Sequence, residues 1–186
     1  MTDKGLHRLL LITGTMGAGK TTLMAEASDV LIERGIVHAA IDLDTLGIGL
    51  MPPAETVDVD QRADGKPRTL EDLMYRNLAL VWQNYRSAGV TRIVVAAAID
   101  RRDLPFLQAA LERPDTTICR LRAPLSVMQD RVRLREPGMF QTKGIQRVAE
   151  LDALLDQAAI EDFTLTNHGQ SITDLAVEML QRARFI

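Results

Sequence analysis

Gly14-Thr15-Met16-Gly17-Ala18-Gly19-Lys20-Thr21 satisfies the pattern G-x-x-x-x-G-K-[ST]. It stands between an apolar run, Arg8 to Ile12, and an amphipathic stretch, Lys20 to Arg34, that Gly35 closes. A strand feeding such a loop into a helix is the context that turns the pattern into evidence for a phosphate cradle. The glycines permit backbone conformations and close approaches that a Cβ obstructs, so successive N–H groups can face phosphate oxygens. The following helix adds the positive end of its dipole. Lys20 is placed to reach the β- and γ-phosphates as a point charge, and the Thr21 hydroxyl to meet Mg²⁺. Gly14, Thr15, Met16, Gly17, Ala18, Gly19, Lys20, Thr21 and Thr22 are therefore the expected triphosphate-binding residues.

Outward from this loop, apolar runs and amphipathic stretches alternate to the end of the chain. Val37 to Leu43 reads as a second strand. Asp44 to Arg68 has three prolines and no periodicity, and reads as a long loop of the kind that usually carries function. Thr69 and Asp72 resemble a capping box for a helix that buries Leu70, Leu73, Met74, Leu78, Val81, Trp82 and Tyr85 and ends at Gly89. A strand pattern lies within Arg92 to Ile99, and Asp103 can cap a short helix through Glu112. Thr116 to Leu121 is a fourth strand, Pro124 to Arg135 a helix and Glu136 to Lys143 a Pro/Gly loop. Ile145, Val148, Leu151 and Leu155 mark a further buried stripe. Phe163 to Thr166 is a fifth strand, and Ser171 with Asp174 caps the last helix. Strands and helices alternating at these lengths imply parallel pairing, right-handed crossovers and a three-layer α/β sandwich in one domain, 1–186.

The 186 residues are 46% apolar and 25% charged, which is globular composition with ample core. The single cysteine, Cys119, excludes an internal disulfide and a Cys-based zinc cluster. Met1 to Arg8 is polar and the apolar run after it is short, so neither an export signal nor a membrane span is expected there. Together these point to a cytoplasmic, soluble protein. A net charge of -3 lacks the basic footprint of a nucleic-acid binder. The charge is uneven, however: Asp42 to Asp72 carries eight acidic and three basic residues, and Arg120 to Arg147 seven basic and two acidic.

Asp42 and Asp44 stand two apart at the end of the second strand, so both side chains are expected on one face, at the strand end where parallel sheets bind ligands. One carboxylate there can hold a metal-bound water while the other orients or deprotonates a hydroxyl; alternatively, one of them only caps the strand. Asp100 is a further candidate metal acid, with loop capping as its alternative. Arg131 and Arg135 lie one helical turn apart before Glu136-Pro137-Gly138, an arrangement suited to a closing lid over residues 131–147. The competing reading is complementarity to the helix dipole. Arg133 projects elsewhere, and Lys143 and Arg147 are weaker lid candidates.

With these features the chain resembles the small P-loop kinases of nucleotides and metabolites, the group containing adenylylsulfate, gluconate and shikimate kinases and chloramphenicol phosphotransferase. The resemblance spans nearly the whole chain. It rests on Gly14 to Thr22, Asp42-Leu43-Asp44, Leu121-Arg122-Ala123-Pro124 leading to Arg131 and Arg135, and Thr166 to Ser171. It implies the α/β/α P-loop NTPase fold with a five-stranded parallel sheet in the order 2-3-1-4-5. It also implies ATP and Mg²⁺ as cofactors and transfer of the γ-phosphate to a hydroxyl of a small molecule. Lys20, Asp42, Asp44, Arg131 and Arg135 would be the catalytic residues, and Thr21, Asp42 and Asp100 the metal-facing ones. An Asp-x-Asp pair in that group puts Asp42 on the Mg²⁺ shell and Asp44 on the acceptor, whereas the chloramphenicol enzyme's Val-Asp-Ser strand end would make Asp42 the base. Asn167 and Gly169 would border the nucleotide base.

His168 beside them reads as an exposed turn residue, and Trp82, Tyr75 and Tyr85 as core. Residues 44–68 would form the substrate loop, with Arg62, Lys66 and Arg68 near Asp58 and Asp60. The competing function is a hydrolytic or regulatory P-loop ATPase acting with a protein partner. A switch GTPase is disfavoured because no Asn-Lys-x-Asp motif occurs, and a polynucleotide-end kinase by the acidic loop. A monomer or homodimer is expected, without nucleic acid or membrane partners.

Overall fold

The computed structural model describes residues 7–47, 70–135 and 140–186. Arg62, Lys66 and Arg68, most of the 44–68 segment, Thr69 and the Glu136-Pro137-Gly138 break lie outside the described residues. The elements run β1 (Arg8–Thr13), α1 (Lys20–Glu33), β2 (Ala39–Asp42), a 3-10 turn (Leu43–Gly47), α2 (Leu70–Ser87), β3 (Arg92–Ala96), α3 (Leu104–Ala110), β4 (Asp115–Arg122), α4 (Leu125–Arg135), α5 (Phe140–Ala158), β5 (Phe163–Thr166) and α6 (Ile172–Arg182).

All pairings in the five-stranded sheet are parallel, and the order is β2-β3-β1-β4-β5, as expected. β1 is central because its run of Leu9 to Ile12 is apolar on both faces, and all four residues are 0% exposed. Alternation then splits the core. Leu10 and Ile12 pack with α1 and α6 on one side, and Leu9 and Leu11 with Leu78 and Trp82 of α2 on the other. Among the described residues no helix is long and apolar enough to cross a membrane.

Three local expectations need correction. β2 stops at Asp42 rather than Leu43, because the Asp42 carboxylate accepts the N–H of Asp44 (3.2 Å) and its carbonyl accepts the Thr45 hydroxyl (2.7 Å), which starts the 3-10 turn. Asp103 occupies the N-cap position of α3 without a capping side-chain bond; the carboxylate of Asp100 takes the N–H groups of Arg102 and Asp103 instead. The expected loop through Lys143 is shorter, since α5 begins at Phe140 and runs through Gly144. A Cβ at Gly144 would meet Val132 at 3.2 Å, so this glycine marks a close approach of α5 to α4.

β4 carries Arg120 and Arg122 on one face. Arg120 is 1% exposed and pairs with Asp152 (2.8 Å) and Asp156 (2.7 Å) of α5, and Arg122 reaches the same two carboxylates at 3.1 Å each. The basic surplus of Arg120 to Arg147 is therefore divided, part of it buried as the anchor of α5. Removing Asp152 takes away one of these hydrogen bonds to a charged group while Arg120 keeps Asp156. Asp152→Ala is expected to cost about 2 kcal/mol of unfolding free energy, and Asp130→Ala, which breaks the exposed Asp130–Arg133 pair, to leave the denaturation midpoint where it is. Urea unfolding of the two variants checks the contrast.

Candidate active site

Two cavities open at the carboxyl ends of the strands, where residues following β1, β2 and β3 meet the helical layer. The first, of about 390 Å³, is walled by Met16, Gly17 and Gly19 of the loop and by Lys20, Thr21 and Thr22, which open α1. Asp42, Asp44 and Thr45 close it on one side, and Arg131, Val132 and Arg135 of α4 on the other. The first N–H groups of a helix lack intrahelical partners, so α1 presents donors here.

The rest of the loop is construction. Ala18 is fully buried, and the Thr15 hydroxyl donates to the Val148 carbonyl of α5 at 3.3 Å. Gly17 has φ 78, and a Cβ on it would collide with the Met128 carbonyl of α4. Arg131 Nη1 donates to the carbonyls of Gly17 (3.0 Å) and Ala18 (3.3 Å), and Asn167 Nδ2 donates to Ala18 at 2.8 Å. Arg131 thus braces the loop in this structure as well as facing the pocket. Asn167 does its bracing from the turn after β5, and Gly169 follows it there at φ 83. His168 is exposed, as its turn position suggests.

Lys20 Nζ donates to the Thr15 carbonyl at 3.3 Å. Burial pushes its ammonium below the usual lysine pKa, the carboxylates of Asp44 and then Asp42 pull it back up, and Arg135 pushes it down again. An anion arriving in the pocket would favour the charged form.

Thr21 Oγ1 donates to Asp42 Oδ2 at 2.6 Å. The hydroxyl and the carboxylate form an all-oxygen pair at the mouth of the loop, the donor chemistry Mg²⁺ prefers. Among the described residues no group of three or more His, Cys, Asp or Glu converges on a metal site. Asp44 reaches the pocket by a different route from the one its spacing implied. It lies on the 3-10 turn, not on the strand, and is exposed.

Asp100 is placed apart from this group. It lines the second cavity, and its Oδ2 holds Arg102 Nε at 3.0 Å and Nη2 at 2.7 Å. Those bonds, the Arg102 guanidinium foremost, hold its carboxyl below the ordinary carboxylate range. The hydrogen bonds match the loop-capping alternative.

No protein-family model matches the chain, and no curated protein matches it in sequence. Solved structures do match. They include a sugar kinase from Janibacter sp. HTCC2649 (24% identity, 94% of this chain and 93% of that one, TM-score 0.58). A gluconokinase from Sinorhizobium meliloti 1021 superposes with TM-score 0.60 at 18% identity, over 97% of this chain and 93% of that one. The APS kinase of Mycobacterium tuberculosis, solved with AMPPNP and APS, gives 0.58 at 20% identity over 95% and 96%. The chain has the fold of the small P-loop kinases.

Within that fold the second cavity, of about 780 Å³, is the feature sequence reasoning missed. Tyr75 and Leu151 read as core from their helical spacing, yet both line it, and Arg147 faces it from α5. A stripe read at helical period marks an apolar face and does not say whether that face meets core or a void. Trp82 is fully buried as expected, while Tyr85 is 38% exposed.

Two arginines a turn apart should respond differently to truncation. Arg131→Ala removes the donors for two loop carbonyls, so nucleotide affinity and turnover should both fall, with a lower melting temperature. Arg135→Ala should lower turnover more than affinity. Nucleotide titration beside steady-state kinetics separates them.

Proposed function

We propose that the protein is an ATP-dependent phosphotransferase that moves the γ-phosphate to a hydroxyl of a small molecule. The observation that carries this reading is Asp44, which lines both the phosphate-loop pocket and the larger cavity. A hydrolytic ATPase needs the first cavity and not the second.

In this reading the loop N–H groups and Lys20 hold the β- and γ-phosphates. Thr21 and Asp42 would hold Mg²⁺, whose charge offsets that on the phosphate oxygens when it is bound. The acceptor sits in the larger cavity with its hydroxyl at Asp44. As the acceptor oxygen bonds to the γ-phosphorus, the bond from that phosphorus to the β,γ-bridging oxygen breaks and ADP leaves. Asp44 takes the hydroxyl proton. Arg135, aided by Arg131, neutralises charge on the phosphoryl group in transit. Asn167 and Gly169, in the turn after β5, would border the nucleotide base. The carboxylate of Asp42 is already engaged by Thr21, which favours Asp44 as the base.

Lys20→Ala should reduce turnover by about 10² to 10³ with the fold retained, since the side chain contributes little core. Asp44→Asn should lose transfer by roughly 10² to 10⁴ and keep Mg²⁺-dependent ATP affinity close to normal. Asp42→Asn should weaken that affinity as well. Titrations of ATP with and without Mg²⁺, followed by transfer assays against a panel of alcohols, test all three. Wild-type transfer by Asp44→Asn would overturn the assignment of the base.

A further inference from the structure

Among the described residues, apolar side chains outnumber polar ones in the wall of the larger cavity. Leu43 comes from the 3-10 turn, Met74 and Tyr75 from α2, and Leu151, Leu154 and Leu155 from α5. Leu154 is 52% exposed, and Tyr75 stacks on the 57%-exposed Phe106, itself outside the lining, with ring centroids 6.0 Å apart. Scattered exposed apolar residues need no explanation, but apolar residues gathered around one concavity mark a ligand surface.

The charges in the wall point the same way. Among the described lining residues, Asp44, Asp100 and Asp103 stand against Arg102 and Arg147. Arg102 and Asp100 pair with each other. Arg147 is left without a hydrogen-bond or ion-pair partner among the described residues. A polyanionic acceptor such as a nucleotide or sugar phosphate is recognised by several converging cations. Among the described lining residues it would meet one guanidinium, Arg147, outside the Asp100–Arg102 pair, together with Asp44 and Asp103. An uncharged apolar body gains by leaving water for the same wall, and a cavity of about 780 Å³ is of the size that takes drug-sized molecules.

We infer that the acceptor is an uncharged, mainly apolar alcohol of drug size. Its hydroxyl lies at Asp44, its hydrocarbon or aromatic body between α2 and α5, and a hydrogen-bond-accepting oxygen faces Arg147. This inference rests on the phosphotransferase reading, so its test has a binding arm and a transfer arm.

Nile red, an uncharged apolar probe, is titrated into wild type, Leu154→Asp and Arg147→Gln without nucleotide. It is then displaced by aryl alcohols and aryl diols or by gluconate, glycerol 3-phosphate and uridine monophosphate. Both residues are exposed, so the variants should fold; melting curves and ATP affinity verify it. The expected result is that Leu154→Asp weakens probe binding about tenfold and Arg147→Gln far less. The aryl compounds should displace the probe and accept phosphate from Mg·ATP, with a raised KM in Leu154→Asp. Phosphorylation of the anionic alcohols alone, lost in Arg147→Gln, would overturn the acceptor class and leave the phosphotransferase reading intact. Displacement by aryl alcohols with no transfer to any alcohol would overturn the phosphotransferase reading, and the acceptor role with it. Failure of the probe and the aryl alcohols to bind would overturn the inference outright.

Discussion

Buried backbone carbonyls demand donors, and the phosphate loop meets that demand with side chains from distant segments. Arg131 reaches back 114 positions to Gly17, and Asn167 reaches 149 to Ala18. Thr15 reverses the direction, donating its own hydroxyl to the Val148 carbonyl 133 positions on. A loop whose carbonyls are taken from outside has its peptide planes fixed, which pre-organises the N–H groups for an anion. The same bonds fix α4, α5 and the turn after β5 relative to β1. The loop is therefore a junction of the domain, and Gly17 can be no larger because the α4 backbone already fills the space.

Asp42 has a comparable double duty. One carboxylate oxygen holds Thr21 of α1 and the other the N–H of Asp44, so a single side chain ties the start of the helix to the turn that carries the second acid. The position of Asp44 between the two cavities follows from that tie. Moving Asp44 along a strand by one residue would reverse its face. On the 3-10 turn a one-residue shift would rotate it by about 120°.

The loop, the element order and the Ser171 cap were legible in the sequence because each is a local signal: a motif, a run of apolar residues, a hydroxyl that accepts the Asp174 N–H at 3.0 Å. The sheet order followed from resemblance and holds in the structure. What was not legible depends on contacts between segments. Nothing local to Gly144 in the sequence tells that a Cβ there would meet Val132. Arg120 and Arg122, two apart in a strand, look like part of a solvated basic face until Asp152 and Asp156, four apart on α5, are brought opposite. That pairing had a signal in the matching periods of strand and helix, but choosing the partner required the fold. The cavity had none, because an apolar stripe has the same spacing whether or not it touches its neighbour.

In the proposed phosphotransferase the cavity would bear on the fate of the γ-phosphate more directly than any single acid. Water is the competing acceptor in every phosphoryl-transfer site, and a carboxylate that activates an alcohol can activate water equally well. Discrimination must then come from occupancy: a ligand that fills an apolar space displaces water from it and delivers one oriented hydroxyl at a high effective concentration. An apolar wall supplies that displacement, because burying hydrocarbon is itself favourable. On this reading the polar pocket carries the chemistry and the apolar cavity carries the preference for transfer over hydrolysis, with Asp44 the residue they share.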